Sequence, residues 1–139
     1  MCPTCYSYYM IATKEEQFIK LIAPVNFFLR LSGKAYANYI INKIFLHAKR
    51  IKAANQKICG LIEEHPAYLP EELQADAIEL LNHYGIWLAQ FEECVGEQQP
   101  KLSDIFVFQQ LDSQSAFPKS AEKHFFDYYE TMKEELIHN

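Results

Sequence analysis

Apolar positions recur along this chain with the period of a helix. Leu73, Ala77, Leu80, Tyr84, Trp87, Phe91 and Cys94 are spaced four and three residues apart in alternation. That spacing lines one helix face and predicts a helix from Pro70 to about Gly96, with Glu71 and Glu72 complementing its positive N-terminal end. Ala37, Ile41, Ile44, Ala48, Ile51, Asn55, Ile58 and Ile62 repeat the pattern and predict a helix over Lys34 to Glu64, stopped by Pro66. Upstream, Thr13-Lys-Glu-Glu16 reads as a capping box that starts a helix running to Leu31. Pro24 predicts a kink or short break in it, and Ser32-Gly33 its close. Ala121, Phe125, Tyr128, Met132 and Leu136 mark a last helix over Lys119 to Ile137.

Between the third and last of these helices the pattern lapses. Residues 97–118 read as an irregular crossover in which Ile105-Phe-Val-Phe108 has strand chemistry but no evident partner. The segment is expected to lie as an apolar arm along the bundle, to form a short helix started by Ser103, or to pair across a homodimer. Residues 1–12 form an aromatic and cysteine-bearing leader. The expected fold is therefore all-α: one domain over 1–139, an antiparallel bundle of about four helices with a long irregular connection before the last. Asn55, the single polar residue of its seam, either fixes register from inside the core or sits at a wet edge.

Composition agrees with a packed helical core. Half of the residues are hydrophobic, with ten Phe and nine Tyr against four Gly and six Pro. No run of about 18 apolar residues predicts a membrane span, and Met1 to Met10 carries no Lys or Arg of the kind that opens a secretory signal. The expectation is a cytoplasmic protein whose four cysteines are thiols rather than disulfides.

Charge changes the picture more. Residues 1–60 hold nine Lys/Arg against two Asp/Glu, a surplus of seven positive charges. Residues 61–139 hold four against sixteen, a surplus of twelve negative ones. On the second helix Lys43, Arg50 and Lys57 recur every seven residues, with His47 beside them. On the third, Glu72, Asp76, Glu79, His83 and Glu93 form an acidic stripe. Either the two stripes face each other across a helical hairpin, or the basic one turns outward to a partner. Only two Arg occur, and the acidic half would repel a polyanion, so the balance disfavours nucleic acid.

Candidate chemistry is sparse. Cys2-Pro-Thr-Cys5 has the spacing of half a zinc site, and zinc at Cys2 and Cys5 would need two further ligands from elsewhere. Glu135-Leu-Ile-His138 gives one of the two Glu-x-x-His motifs that a di-iron bundle uses, and Glu79 with His83 gives an i, i+4 pair. No glycine-rich phosphate loop, G-x-S-x-G or H-E-x-x-H occurs. The pattern points to a non-enzymatic protein-interaction or self-associating helical module, with Lys43, His47, Arg50, Lys57, Phe106 and Phe108 as interaction residues and a protein or a second copy as partner. Two alternatives stand beside it. One is a small-molecule-binding or sensor domain with a pocket lined by His83, Tyr84, Trp87 and Phe91. The other is nucleic-acid binding through the basic face of the second helix.

Overall fold

The computed structural model describes residues 12–109 and 117–138. They form an all-α bundle of four packed helices. Helix α1 comprises three contiguous pieces, Lys14–Gln17, a π-helical turn Phe18–Ile22, and Ala23–Ile41. Helix α2 is Phe45–Glu64, α3 is Gln74–Gln98 and α4 is Lys119–His138. Two 3₁₀ turns, Pro66–Tyr68 and Glu71–Leu73, join α2 to α3. Helix α1 packs most extensively on α2, α2 on α3, α3 on α4, and α4 returns to α1.

The capping box at the head of α1 is formed. The Thr13 hydroxyl accepts the Glu16 N–H, and Glu16 Oε1 accepts the Thr13 N–H, each at 3.1 Å. Pro24 does not break the helix. The π turn ahead of it carries one extra residue, so the Ala23 N–H reaches back to the Phe18 carbonyl. That widening accommodates a ring that would crowd the carbonyl four residues earlier in a regular helix.

The end of α1 departs from the sequence expectation. Ser32-Gly33 does not close it; the helix runs on to Ile41. A glycine stops a helix when it takes a positive φ at the C′ position, and no glycine among the described residues does so. Ser32 instead sends its hydroxyl across to Asn55 Oδ1 on α2 at 2.7 Å, and Asn55 is buried there. The chain turns at Asn42, which is extended at φ −141°, ψ 97°. The predicted helix over Lys34 to Glu64 is thus split between two helices. The lower part of its seam, Ala48 to Ile62, is buried, while Ile41 is 86% exposed.

The α1–α2 turn is made by a remote segment. Ile44 at the N-cap of α2 offers no side-chain acceptor. The carbonyls of Asp104 and Leu102 receive the Phe45 and Leu46 N–H groups at 2.8 and 2.9 Å, satisfying two of the donors that every helix start leaves open. Ile44 and Ile105 form an antiparallel bridge, and the Phe106 N–H donates to the Lys43 carbonyl. On the other side the Gln98 side-chain amide exchanges two hydrogen bonds with the Val107 backbone. Ile105-Phe-Val-Phe108 is therefore an extended arm along the bundle, with Ile105 and Val107 outward and Phe106 and Phe108 inward. Its pairing partner lies in this chain, at a residue that the sequence pattern assigns to a helix.

The core has two parts. One gathers Leu21, Ile22, Leu29, Ile58, Leu80 and Phe125 with their neighbours. The other, at the α1–α2 turn, is aromatic: Phe91 stacks on Trp87 with centroids 5.1 Å apart and packs on Phe45, Phe106 and Phe108. Helix α3 ends two residues beyond Gly96, and Gln99 supplies the left-handed residue at φ 44°, just before Pro100.

Candidate interaction surface and ligand groove

The position of the α1–α2 turn decides where the charged stripes lie. With α2 starting at Phe45, its Ala/Ile seam turns inward and its opposite side carries Lys49, Arg50 and Lys57, all exposed. None of these three has an ion-pair partner among the described residues. Lys43 is exposed in the turn, outside the helix on which its stripe was expected, and His47 is half-buried with Nδ1 enclosed and unpartnered.

The acidic stripe of α3 points elsewhere. Asp76 meets His124 Nδ1 of α4 at 3.0 Å, and Glu72 accepts the Tyr128 hydroxyl at 3.1 Å. Lys52 with Glu92 is the ion pair between α2 and α3 among the described residues. The two stripes therefore do not pair with each other among the described residues: Glu72 and Asp76 are engaged with α4, and Arg50 and Lys57 are exposed.

The solvent face of α1 is apolar in part. Phe27, Lys34 and Ile41 recur every seven residues, and Leu31 lies one turn beyond Phe27. Phe27 is 58% exposed and Leu31 41%. The hairpin thus exposes large apolar side chains on α1 and cations without ion-pair partners on α2. Phe106 and Phe108, expected at an interaction surface, are buried instead in the aromatic part of the core. The alternation of an extended arm turns one side of that segment inward, which composition could not reveal.

Of the four residues proposed for a ligand pocket, Tyr84 and Phe91 are core. His83 and Trp87 line a groove of about 460 Å³ together with Glu79, Asn82, Ile86, Gln90 and Pro118. The His83 ring meets Phe117 and Tyr84 edge-on at 5.2 and 5.5 Å. Burial holds its pKa below the ordinary value, so the imidazole is neutral at neutral pH. A second groove of about 380 Å³ lies between α3 and α4, lined by Glu72, Asp76, His124, Asp127 and Tyr128 among others. Sequence reasoning missed His124, because its partner lies on another helix and no local spacing links the two.

The metal candidates disperse. Among the described residues no group of three or more His, Cys, Asp or Glu side chains is placed to hold a metal ion. Glu135 pairs with Lys14 and His138 with Glu134. Cys2 and Cys5, with the aromatic leader, lie outside the described residues. Cys59 is a buried free thiol whose pKa is pushed up to about 11 by burial and then by Glu63, which suppresses the thiolate that nucleophilic chemistry would need. No helix among the described residues is long and apolar enough to cross a membrane. Comparison with family models, with curated proteins and with solved structures found no match for this chain.

Proposed function

We propose that this protein is a non-enzymatic helical module that associates with protein, either another chain or a second copy of itself, through the solvent face of the α1–α2 hairpin. The observation that carries the reading is that the hairpin exposes large apolar side chains on α1, Phe27, Leu31 and Ile41, and on α2 Lys49, Arg50 and Lys57, which have no counter-charge of their own among the described residues. Aromatic and aliphatic anchors ringed by charge are what protein interfaces use: the apolar groups supply affinity, and the charges supply orientation and encounter rate. A cytoplasmic location belongs to the same reading, since Cys59 and Cys94 are free thiols.

Site-specific photocrosslinking in cells tests it. A photoreactive residue at Phe27 or Lys57 should give discrete protein adducts, and one at Glu97, on α3, should not. Adducts of equal yield from all three positions, or from none, would overturn the reading. A polyanion partner would show itself as nucleic-acid adducts at Lys57 with a steep salt dependence.

The groove beside His83 and Trp87 supports a second reading, a small-ligand sensor. It combines an indole, a neutral imidazole and the Glu79 carboxylate in one concavity. A ligand-induced rise in melting temperature that Gln90→Trp abolishes, by filling the groove, is the expected signature. A rise that persists in Gln90→Trp would place the ligand elsewhere.

A further inference from the structure

Helices α1 and α3 each turn a partly apolar face to solvent. In the regular part of α1, Phe27, Leu31, Lys34 and Ile41 fall within about 80° of arc, and all four are exposed. The Phe27 ring is propped edge-on by Phe28, with centroids 5.0 Å apart. Along α3, Ile78, Glu79, Asn82, Ile86 and Ala89 fall within about 100° of arc and are exposed as well. Beside Ile86 opens the groove of about 460 Å³, with Ile86, Trp87 and Pro118 as its apolar lining. That volume is in the range that takes a small ligand, and so one aromatic side chain. Lys34 on the first face and Glu79 on the second have no ion-pair partner among the described residues.

The two faces match in register. Phe27 and Lys34 are one heptad apart, and so are Ile86 and Glu79. Seven residues span about 10.5 Å on either helix. An antiparallel approach that brings Phe27 to Ile86 therefore brings Lys34 to Glu79, with Leu31 at the level of Asn82. Within one chain the faces cannot meet. Helices α1 and α3 each pack between α2 and α4, so they stand at opposite corners of the bundle and their solvent faces point apart. From this we infer that copies of this chain associate head to tail, the α1 face of one seated on the α3 face of the next, with the Phe27 ring in the groove beside Trp87 and Lys34 on Glu79. The inference rests on the reading of a self-associating module and names the partner of the α1 half of the hairpin surface. An exposed apolar side chain that fits a pocket elsewhere on the same molecule makes a contact that does not close on itself. Each terminal copy keeps one face free, so the assembly grows beyond a dimer. The inserted ring supplies affinity, and the charge pair supplies orientation. Glu97, three turns beyond Ile86 on α3, lies outside the contact.

Sedimentation velocity of the full-length chain tests this, from micromolar to millimolar concentration under reducing conditions at low ionic strength. The mean mass of the parent should rise with concentration past that of a dimer. Phe27→Asp, which removes the inserted ring, and Gln90→Trp, which fills the groove, should each weaken association by about thirtyfold or more. An equimolar mixture of these two variants should form a one-to-one dimer and nothing larger, because only one intact ring and one intact groove are left to meet. Lys34→Glu should weaken association about tenfold, and adding Glu79→Lys in the same chain should restore it. A parent that stops at a dimer would overturn the head-to-tail contact while supporting self-association by another surface. A mixture that yields no heterodimer, or a charge exchange that restores nothing, would overturn the assigned contact. A parent that stays monomeric to millimolar concentration would overturn it too, and photocrosslinking at Phe27 and Lys57 then decides separately whether the hairpin binds another protein.

Discussion

The extended arm at Ile105–Phe108 holds the α1–α2 turn in place, and truncating Phe106 measures how firmly. The Phe106 ring is fully buried, 5.1 Å from Phe45 and 5.4 Å from Phe91 between ring centroids. Its backbone N–H binds Lys43, and its carbonyl accepts the buried Tyr39 hydroxyl at 2.6 Å. Phe106→Ala removes a large apolar group from a site whose walls belong to three helices and cannot collapse freely, a cost of about 3–5 kcal/mol. That is a large share of the roughly 5–15 kcal/mol that holds a domain of ordinary stability together. Phe106→Leu, at about 1–1.5 kcal/mol, is the milder companion if Phe106→Ala fails to fold. Ile105→Ala, one residue away but outward-facing, should stay within about 0.5 kcal/mol. Tyr39→Phe leaves the Phe106 carbonyl buried without its donor and should cost about 1–3 kcal/mol. Urea unfolding followed by the fluorescence of Trp87, the single tryptophan, reports directly on this cluster. If Phe106→Ala and Ile105→Ala cost the same, the arm is not docked as described, and the account of how α2 is capped falls with it.

Three further outcomes follow from particular side chains. Gly33 lies in a helix interior with ordinary backbone geometry and open space where a Cβ would stand, so Gly33→Ala should stabilise by about 0.5–1 kcal/mol in thermal or urea unfolding; destabilisation would mean that the helix ends there after all. His83 has a folded-state pKa below that of the unfolded chain, so the unfolded state binds the extra proton. Stability is then complete above the unfolded value of about 6.5 and declines as pH falls below it toward the folded value, and His83→Asn should flatten that part of the stability–pH curve. The raised, buried Cys59 thiol should resist alkylation at pH 8 until the protein unfolds, while the more accessible Cys94 reacts earlier; peptide mapping that finds Cys59 modified first would contradict its place in the core.

Most of the basic hairpin surface was legible as charge but not as surface. Arg50 and Lys57 could be read from their seven-residue spacing, yet whether they faced α3 or solvent depended on which side of α2 its partners occupied. The groove was half legible. His83 and Trp87 line it, but Tyr84 and Phe91, at the same helical spacing, turn into the core. Pro118 completes the groove from a part of the chain that shares no periodic pattern with α3.

The seams of α2, α3 and α4 followed from the sequence alone, because a helix that buries one face must repeat its apolar residues at 3.6-residue spacing wherever it packs. The capping box was equally local, since Thr13 and Glu16 satisfy each other. The turn at Asn42 was decided by tertiary structure. Local spacing there favours one unbroken helix, and a helix start without a capping side chain needs acceptors from elsewhere. The carbonyls of Leu102 and Asp104 supply them, and the burial of Phe106 and Phe108 holds those carbonyls in position. A three-residue turn without glycine or proline carries no signature in its own residues, because the groups that stabilise it belong to a segment some sixty positions later in the chain.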